Sequence, residues 1–426
     1  MKVHRQLFAT SLLMPTSLFF ASCSPSDASS DAQSPEAETV AAIQAVAAES
    51  AAVSPAAITE APAAFDNKSN GFLSDADFTT AASVFAEVET PDEPGLGPVF
   101  NSTSCVSCHE DPVPGTGSQI SELRAGHFNG SIFIDHPGGS LINDRAVDAS
   151  IQEKILPGNE VRTFRLTISI AGDGFVEAID ANTLNNISLA QPAAQRGTFI
   201  QVPVTEAGNA VRGARFGWKN QHASLESFAI DAYLNEMGIT SPLAPTENTS
   251  NGNSVAAFDH TADPEDDGGD ITAFTNFMRS LKAPPRGPIT AAVTRGQTVF
   301  NNIGCATCHV GSINTVTAGT VINLGTYTVP AAIGDKTIHP FSDFLLHDVG
   351  TGDGIVQNGG QGTRNQVRTA ALWGLRVRDR MMHDGASVTR TDAINRHANQ
   401  GQAAANAFNA LSAGSQSDLL AFLDSL

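Results

Sequence analysis

The chain has 426 residues, a formal net charge of −20 and five cysteines. That length suits two domains once a leader is removed. The acidity excludes a nucleic-acid surface and favours basic or neutral partners, and beyond the leader no run of 18 apolar residues is available to cross a membrane.

Residues 1–22 read as an export signal: Lys2, His4 and Arg5 give a positive start, and Leu7 to Phe20 an apolar core too short to span a bilayer. Phe20-Ala-Ser-Cys23 resembles a bacterial lipobox, with Phe20 where Leu is usual. Cys23 is therefore the expected lipidated residue; the alternative is ordinary cleavage that leaves a free thiol. Ser24 is not an Asp-type retention signal, so the expected location is periplasmic, held to the outer membrane by lipid alone. Residues 23–66 are rich in Ala, Ser, Pro and Glu without apolar period, the composition of a disordered tether.

Order is expected from Asn67. Phe78 to Val88 spaces its apolar residues as a helix, and a turn-rich link leads to Cys105-Val-Ser-Cys108-His109. The pattern returns as Cys305-Ala-Thr-Cys308-His309, after a helical approach from Val293. Cys-x-x-Cys-His is the attachment sequence of a c-type haem: both thiols add to the porphyrin vinyls and the His ligates iron. A zinc ribbon needs paired Cys knuckles but no His directly after each. Two covalently bound c-type haems are therefore expected, with His109 and His309 as proximal ligands. Export agrees, because this attachment occurs outside the bacterial cytoplasm.

Asp270–Leu281 and Ser417–Leu426 share a Phe-x-x-Ser-Leu ending and helical spacing, with Asp270 read as an N-cap. Each closes a unit that contains one haem motif, so the chain reads as an internal duplication. The expected fold is mainly α: two cytochrome c-like haem domains, 67–285 and 286–426, joined near Lys282–Pro288. Strands at Arg162–Ile170, Thr198–Val204 and Thr326–Val329 make β insertions, mostly in the first domain. Asp263–Asp270 lacks the spacing of a calcium loop and reads as a solvated linker.

Further stretches carry a resemblance: Gly95-Leu-Gly-Pro-Val-Phe-Asn, Arg215-Phe-Gly-Trp-Lys219, Met237-Gly-Ile-Thr-Ser-Pro, Ser342-Asp-Phe-Leu-Leu-His-Asp348, Arg368-Thr-Ala-Ala-Leu-Trp-Gly374 and Met382-His-Asp-Gly385. In this order, from about residue 67 to the end, they resemble the bacterial di-haem cytochrome c peroxidase superfamily. The similarity is greatest to its di-haem oxidoreductase, thiol oxidoreductase-like branch. The resemblance implies His397 as distal ligand of the second haem, with Met381 and Met382 as rivals. For the first haem it implies a releasable distal His, at His127 on a mobile loop; an open five-coordinate iron is the alternative. It implies Trp218 as an electron bridge and Glu236 as the carboxylate of a peroxide pocket. Phe228 stands near the place of that pocket's usual Gln. His347-Asp348 and His383-Asp384 each set an imidazole beside a carboxylate and read as turn caps or propionate contacts.

The expected function is reduction of hydrogen peroxide, with electrons passed from the C-terminal haem to the N-terminal haem. A small cytochrome or a cupredoxin is the expected donor. Two other readings remain: an electron-transfer cytochrome without peroxidase activity, and a di-haem oxidase or oxygenase acting on an organic or protein substrate.

Overall fold

A computed structural model describes residues 57–92 and 95–426. The signal at 1–22, Cys23 and the tether up to 56 lie outside the described residues. Residues 57–66 depart from the tether reading. Thr59–Glu60 is a strand parallel to Lys336–Ile338, and Ala64 N donates to Ala283 O at 3.1 Å. Composition points to disorder there, but pairing with a segment far along the chain satisfies the backbone.

Two helix pairs frame the haem motifs. Helix α1 (Asp75–Phe85) begins at Ser74, whose side chain accepts from Asp77 N, and buries Phe78, Ala81 and Phe85. Helix α2 (Leu225–Met237) follows the Ser224 cap. Helix α3 (Gly269–Ser280) buries Ile271, Phe274, Phe277 and Met278, the stripe that the helical period predicts. Its N-cap is Gly268 rather than Asp270, which lies in the first turn. The α1 and α3 helices meet through Phe85 and Phe277, with ring centres 4.7 Å apart. Helix α4 (Ala291–Asn302) and helix α5 (Ala413–Leu423) repeat this arrangement with Phe300 and Phe422 at 5.1 Å. Gly296 permits the close approach: a Cβ there would overlap the Asp418 carbonyl.

Strand takes a larger share than the sequence reading expects: among the described residues 31% are helical and 16% are in strands. The strands expected from alternation are present at Val161–Leu166, Gln201–Val204 and Tyr327–Thr328, while most of the others are two or three residues long, too short for a period-two run to announce them. The longest, β1 (Ser121–Phe128), is flanked in one antiparallel sheet by β2 (Phe133–Asp135), β3 (Leu141–Ile142) and β4 (Val161–Leu166). Asp263 and Glu265 are not a solvated linker. They fold back on Thr240, whose backbone N–H donates to Glu265 Oε2 at 2.7 Å and whose hydroxyl donates to Asp263 Oδ1 at 2.7 Å.

One apolar cluster crosses residue 285, joining Phe78 and Phe277 to Ile313, Ile333, Phe344 and Trp373. Contacts hold the described residues in one compact unit. At its centre the fully buried Glu177 carboxylate receives Arg279 in a fork at 2.7 and 3.0 Å, Asn323 Nδ2 at 2.9 Å and Leu225 N at 2.9 Å. Removing one partner from such a buried pair costs about 3–5 kcal/mol. Among the described residues no helix is long and apolar enough to cross a membrane.

Candidate haem centres

Each haem motif is one tight turn. Cys105–Ser107 and Cys305–Thr307 are single 3₁₀ turns, and the N–H of His109 and of His309 donates back to the first cysteine carbonyl at 3.0 Å. All four thiols are free. Burial pushes Cys105 up to about 12 and Cys305 up to about 11, so both stay protonated. His109 Nδ1 donates to Thr116 O at 3.1 Å, and His309 Nδ1 to Phe341 O at 2.9 Å. A backbone carbonyl thus fixes the tautomer and leaves Nε2 as the free ligand atom. Burial holds both imidazoles down at about 4, neutral as a metal ligand must be. Phe85 lies 6.3 Å from the His109 ring and Phe300 6.2 Å from the His309 ring.

Cys105, Cys108 and His109 line one cavity of about 440 Å³, within the range of cofactor pockets. Two free thiols and a tautomer-fixed imidazole at such a space fit a c-type haem. The second motif offers the same donor set. A zinc ribbon does not fit, because among the described residues no metal-suited cluster unites the two cysteine pairs.

The surroundings of the two imidazoles differ. The His397 ring centre lies 6.4 Å from that of His309, at 64° between planes. Two metal–nitrogen bonds of about 2 Å each leave room for one ion in such a gap. Residues Arg390–Asn395 form the helix before His397, capped by Thr389, and His397 Nδ1 donates to Ala393 O at 2.8 Å. Its Nε2 is therefore the remaining ring nitrogen. Arg390 anchors the helix by donating to Arg378 O at 3.2 Å and Leu375 O at 2.8 Å. The rival Met381 is buried in the apolar cluster of Phe300 and Phe422.

No histidine besides His109 lines the first cavity. His127 is not on a loop but in β1, where it pairs with Ile134 of β2. Its Nδ1 donates to Glu160 Oε2 at 2.7 Å, and its side chain is 41% exposed. The structure does not bring it to the cavity. Side chains alternate along a strand, so Glu122 and Arg124 share one face and position 127 falls on the other.

Glu236, near the end of α2, does line the cavity. Asn101 Nδ2 donates to its Oε2 at 3.0 Å. Burial, then the adjacent Glu122 charge, pushes its carboxyl up to about 8 against the pull of Arg124. Burial also acts to raise Glu122, but Arg124 and Arg165 outweigh it and hold that carboxyl below its ordinary value. Arg124 Nη2 donates to Glu122 Oε2 at 3.2 Å. Glu122 and Arg124 were not singled out from sequence; the signal was their i, i+2 placement in a strand before a haem cavity could be located.

Trp218 borders the same cavity, donates from Nε1 to Leu166 O at 2.7 Å and meets the buried His383 ring at 6.1 Å, edge on. The carboxylate partner of His347 is Asp343, at 2.8 Å, rather than Asp348, which accepts from Gly350 N and Asn399 Nδ2. Asp384 pairs with Arg396 and not with His383.

Comparison with known proteins extends this picture. The family described as "Di-haem oxidoreductase, putative peroxidase" matches residues 144–426, a span that includes the second haem motif. No curated protein matches the chain. Among solved structures it is similar to the hydrazine synthase of Kuenenia stuttgartiensis, at 15% identity and TM-score 0.40 over 98% of this chain and 100% of that one. It is also similar to a MauG-like protein associated with microbial copper homeostasis, at 16% identity and TM-score 0.39 over 87% and 94%. A third is the di-haem peroxidase BthA from Burkholderia thailandensis E264, at 14% identity and TM-score 0.40 over 87% and 95%. With its two haem motifs and a family match over well more than half its length, the chain belongs to the di-haem oxidoreductase family.

Proposed function

We propose that this protein reduces hydrogen peroxide at its first haem centre, with electrons supplied through its second. One observation carries the reading: among the described residues no histidine besides His109 lines the first haem's space and Glu236 stands in its wall, whereas His309 has His397 close by. Cys105, Cys108 and His109 hold one c-type haem, and Cys305, Cys308, His309 and His397 the other. Bound haem would supply redox-active iron at each centre. Glu236 takes the first proton from peroxide and returns it to the leaving oxygen. Asn101 orients that carboxyl. Trp218, at the cavity wall and against His383, shortens the electron path between the centres. The donor is a small cytochrome or a cupredoxin with a basic or neutral face. Export and lipidation of Cys23 place the protein in the periplasm at the outer membrane.

Visible and EPR spectra of the oxidised and half-reduced protein test this reading. The expected result is one low-spin haem and one that binds cyanide, with peroxide turnover when a reduced small cytochrome is added. Two low-spin haems that ignore cyanide in every redox state would leave an electron-transfer cytochrome. A cyanide-binding haem without peroxide turnover would leave an oxidase acting on another substrate.

A further inference from the structure

Tyr233 lies one helical turn before Glu236 on α2, and both border the first cavity. The Tyr233 ring is 3% exposed and packs edge-on against Phe274 at 4.9 Å. Its hydroxyl lies 3.0 Å from Asp270 Oδ2 and 3.4 Å from Glu89 Oε1. A phenol donates one hydrogen bond, so two carboxyl groups compete for a single proton. Glu89 is itself only 3% exposed, and its Oε2 has no hydrogen-bond partner. Anchoring a tyrosine needs one acceptor; a second buried carboxyl adds desolvation cost without a matching bond.

The other aromatic side chains lack this arrangement. Tyr327 carries the Arg279 guanidinium 3.7 Å above its ring, a cation that opposes loss of an electron, and its hydroxyl is unpartnered. Trp218 donates to a carbonyl, which cannot accept a proton outright. A phenol with a carboxylate on its O–H can lose an electron and a proton together without leaving a positive charge in the interior.

We infer that Tyr233 is a one-electron redox site beside the first haem cavity, with Asp270 and Glu89 as its proton acceptors. The inference rests on the proposed peroxide chemistry for its natural oxidant. Hydrogen peroxide takes two electrons and two solvent protons to become two waters. One electron comes from the Tyr233 ring as its O–H bond breaks and the proton moves to Asp270 Oδ2; a haem held by Cys105, Cys108 and His109 would supply the other. The neutral phenoxyl radical is restored by an electron arriving through the second centre and by return of that proton. Burial, with the nearby charges of Glu87 and Asp270, pushes Glu89 up to about 7, which suits a proton relay. Tyr233 thus stores an oxidising equivalent when no donor is docked.

The test uses the oxidised holoprotein without electron donor. Mixed with hydrogen peroxide and frozen, it should give a tyrosyl EPR signal that narrows with ring-deuterated tyrosine. The signal should vanish in Tyr233→Phe and persist in Tyr327→Phe. A variant with Asp270→Asn and Glu89→Gln keeps the phenol but should lose most of the yield. A parallel sample uses light-generated ruthenium(III) as a one-electron oxidant instead of peroxide. A Tyr233-dependent signal with ruthenium(III) but no peroxide consumption would sink the peroxide reading and support the redox site. The redox site is overturned if neither oxidant raises a signal that Tyr233→Phe removes, or if the carboxyl variant retains the full yield.

Discussion

The two haem motifs present their proximal histidines alike and differ in what surrounds them. His109 and His309 each donate Nδ1–H to a backbone carbonyl, each lies against a phenylalanine of the preceding helix, and each is neutral through burial. Past the ring the likeness stops. His309 has His397 at 6.4 Å, delivered by a capped helix. His109 has a cavity of about 440 Å³ walled by Glu122, Arg124 and Glu236. The attachment sequence fixes how iron is held; the segment brought opposite decides what that iron can do.

The largest expected effect breaks the contrast outright. His397→Ala removes one nitrogen beside His309, and one low-spin haem should convert completely to high-spin by EPR spin count. His127→Ala should change nothing in the same spectra, because His127 bonds to Glu160 at the surface. An unchanged spectrum in the first variant would remove the ligand assignment. Glu236→Gln acts on the other side of the contrast. It keeps the shape and the Asn101 contact, yet peroxide turnover should fall by ~10²–10⁴-fold, the usual worth of a positioned proton-transfer group. The spectrum of the second centre should stay as it was.

The link between the centres gives a smaller effect. Trp218→Phe keeps an aromatic ring but leaves the Leu166 carbonyl without its 2.7 Å donor. Stability in a denaturant melt should drop by about 1–3 kcal/mol. Stopped-flow reduction should show slower electron passage to the first centre, while cyanide binding there is retained. Equal rates in variant and parent would place the electron path elsewhere.

How much of this was legible in the sequence depended on the range of the interaction. The haem turns are five contiguous residues, and the stripe Ile271, Phe274, Phe277 and Met278 follows from helical period alone; the structure has both. His397 is readable only through family resemblance, because 87 residues of chain lie between positions 309 and 397 and no local pattern ties them. The errors were errors of pairing. His347 was matched to its neighbour Asp348, but it sits in the strand Leu346–His347, where adjacent side chains point to opposite faces, and Asp343 reaches it instead. The resemblance puts His127 on a mobile loop, but it lies in β1, where strand parity turns it from the face of Glu122 and Arg124. Residues 57–66 have the composition of a tether, and pairing with distant partners at Lys336–Ile338 and Ala283 orders them.

The most delicate prediction concerns Glu122, a residue the sequence did not mark. Glu236 is pushed up to about 8 first by burial and next by the Glu122 charge. As a proton acceptor it works only when ionised, so kcat/KM for peroxide should rise with pH through that region. Glu122→Gln deletes the negative neighbour and leaves Arg124 and Arg165 with less to balance them, and both changes favour the ionised form of Glu236. The rising limb should therefore move to lower pH. At pH 7 the variant should be faster than the parent, by up to about tenfold for a limb moved by one unit. Structural damage at a buried salt bridge would slow the enzyme at every pH and leave the limb in place. A faster variant at neutral pH, with a displaced profile, is thus an outcome that only electrostatic control of Glu236 produces, and an unmoved limb would take Glu122 out of the proton chemistry.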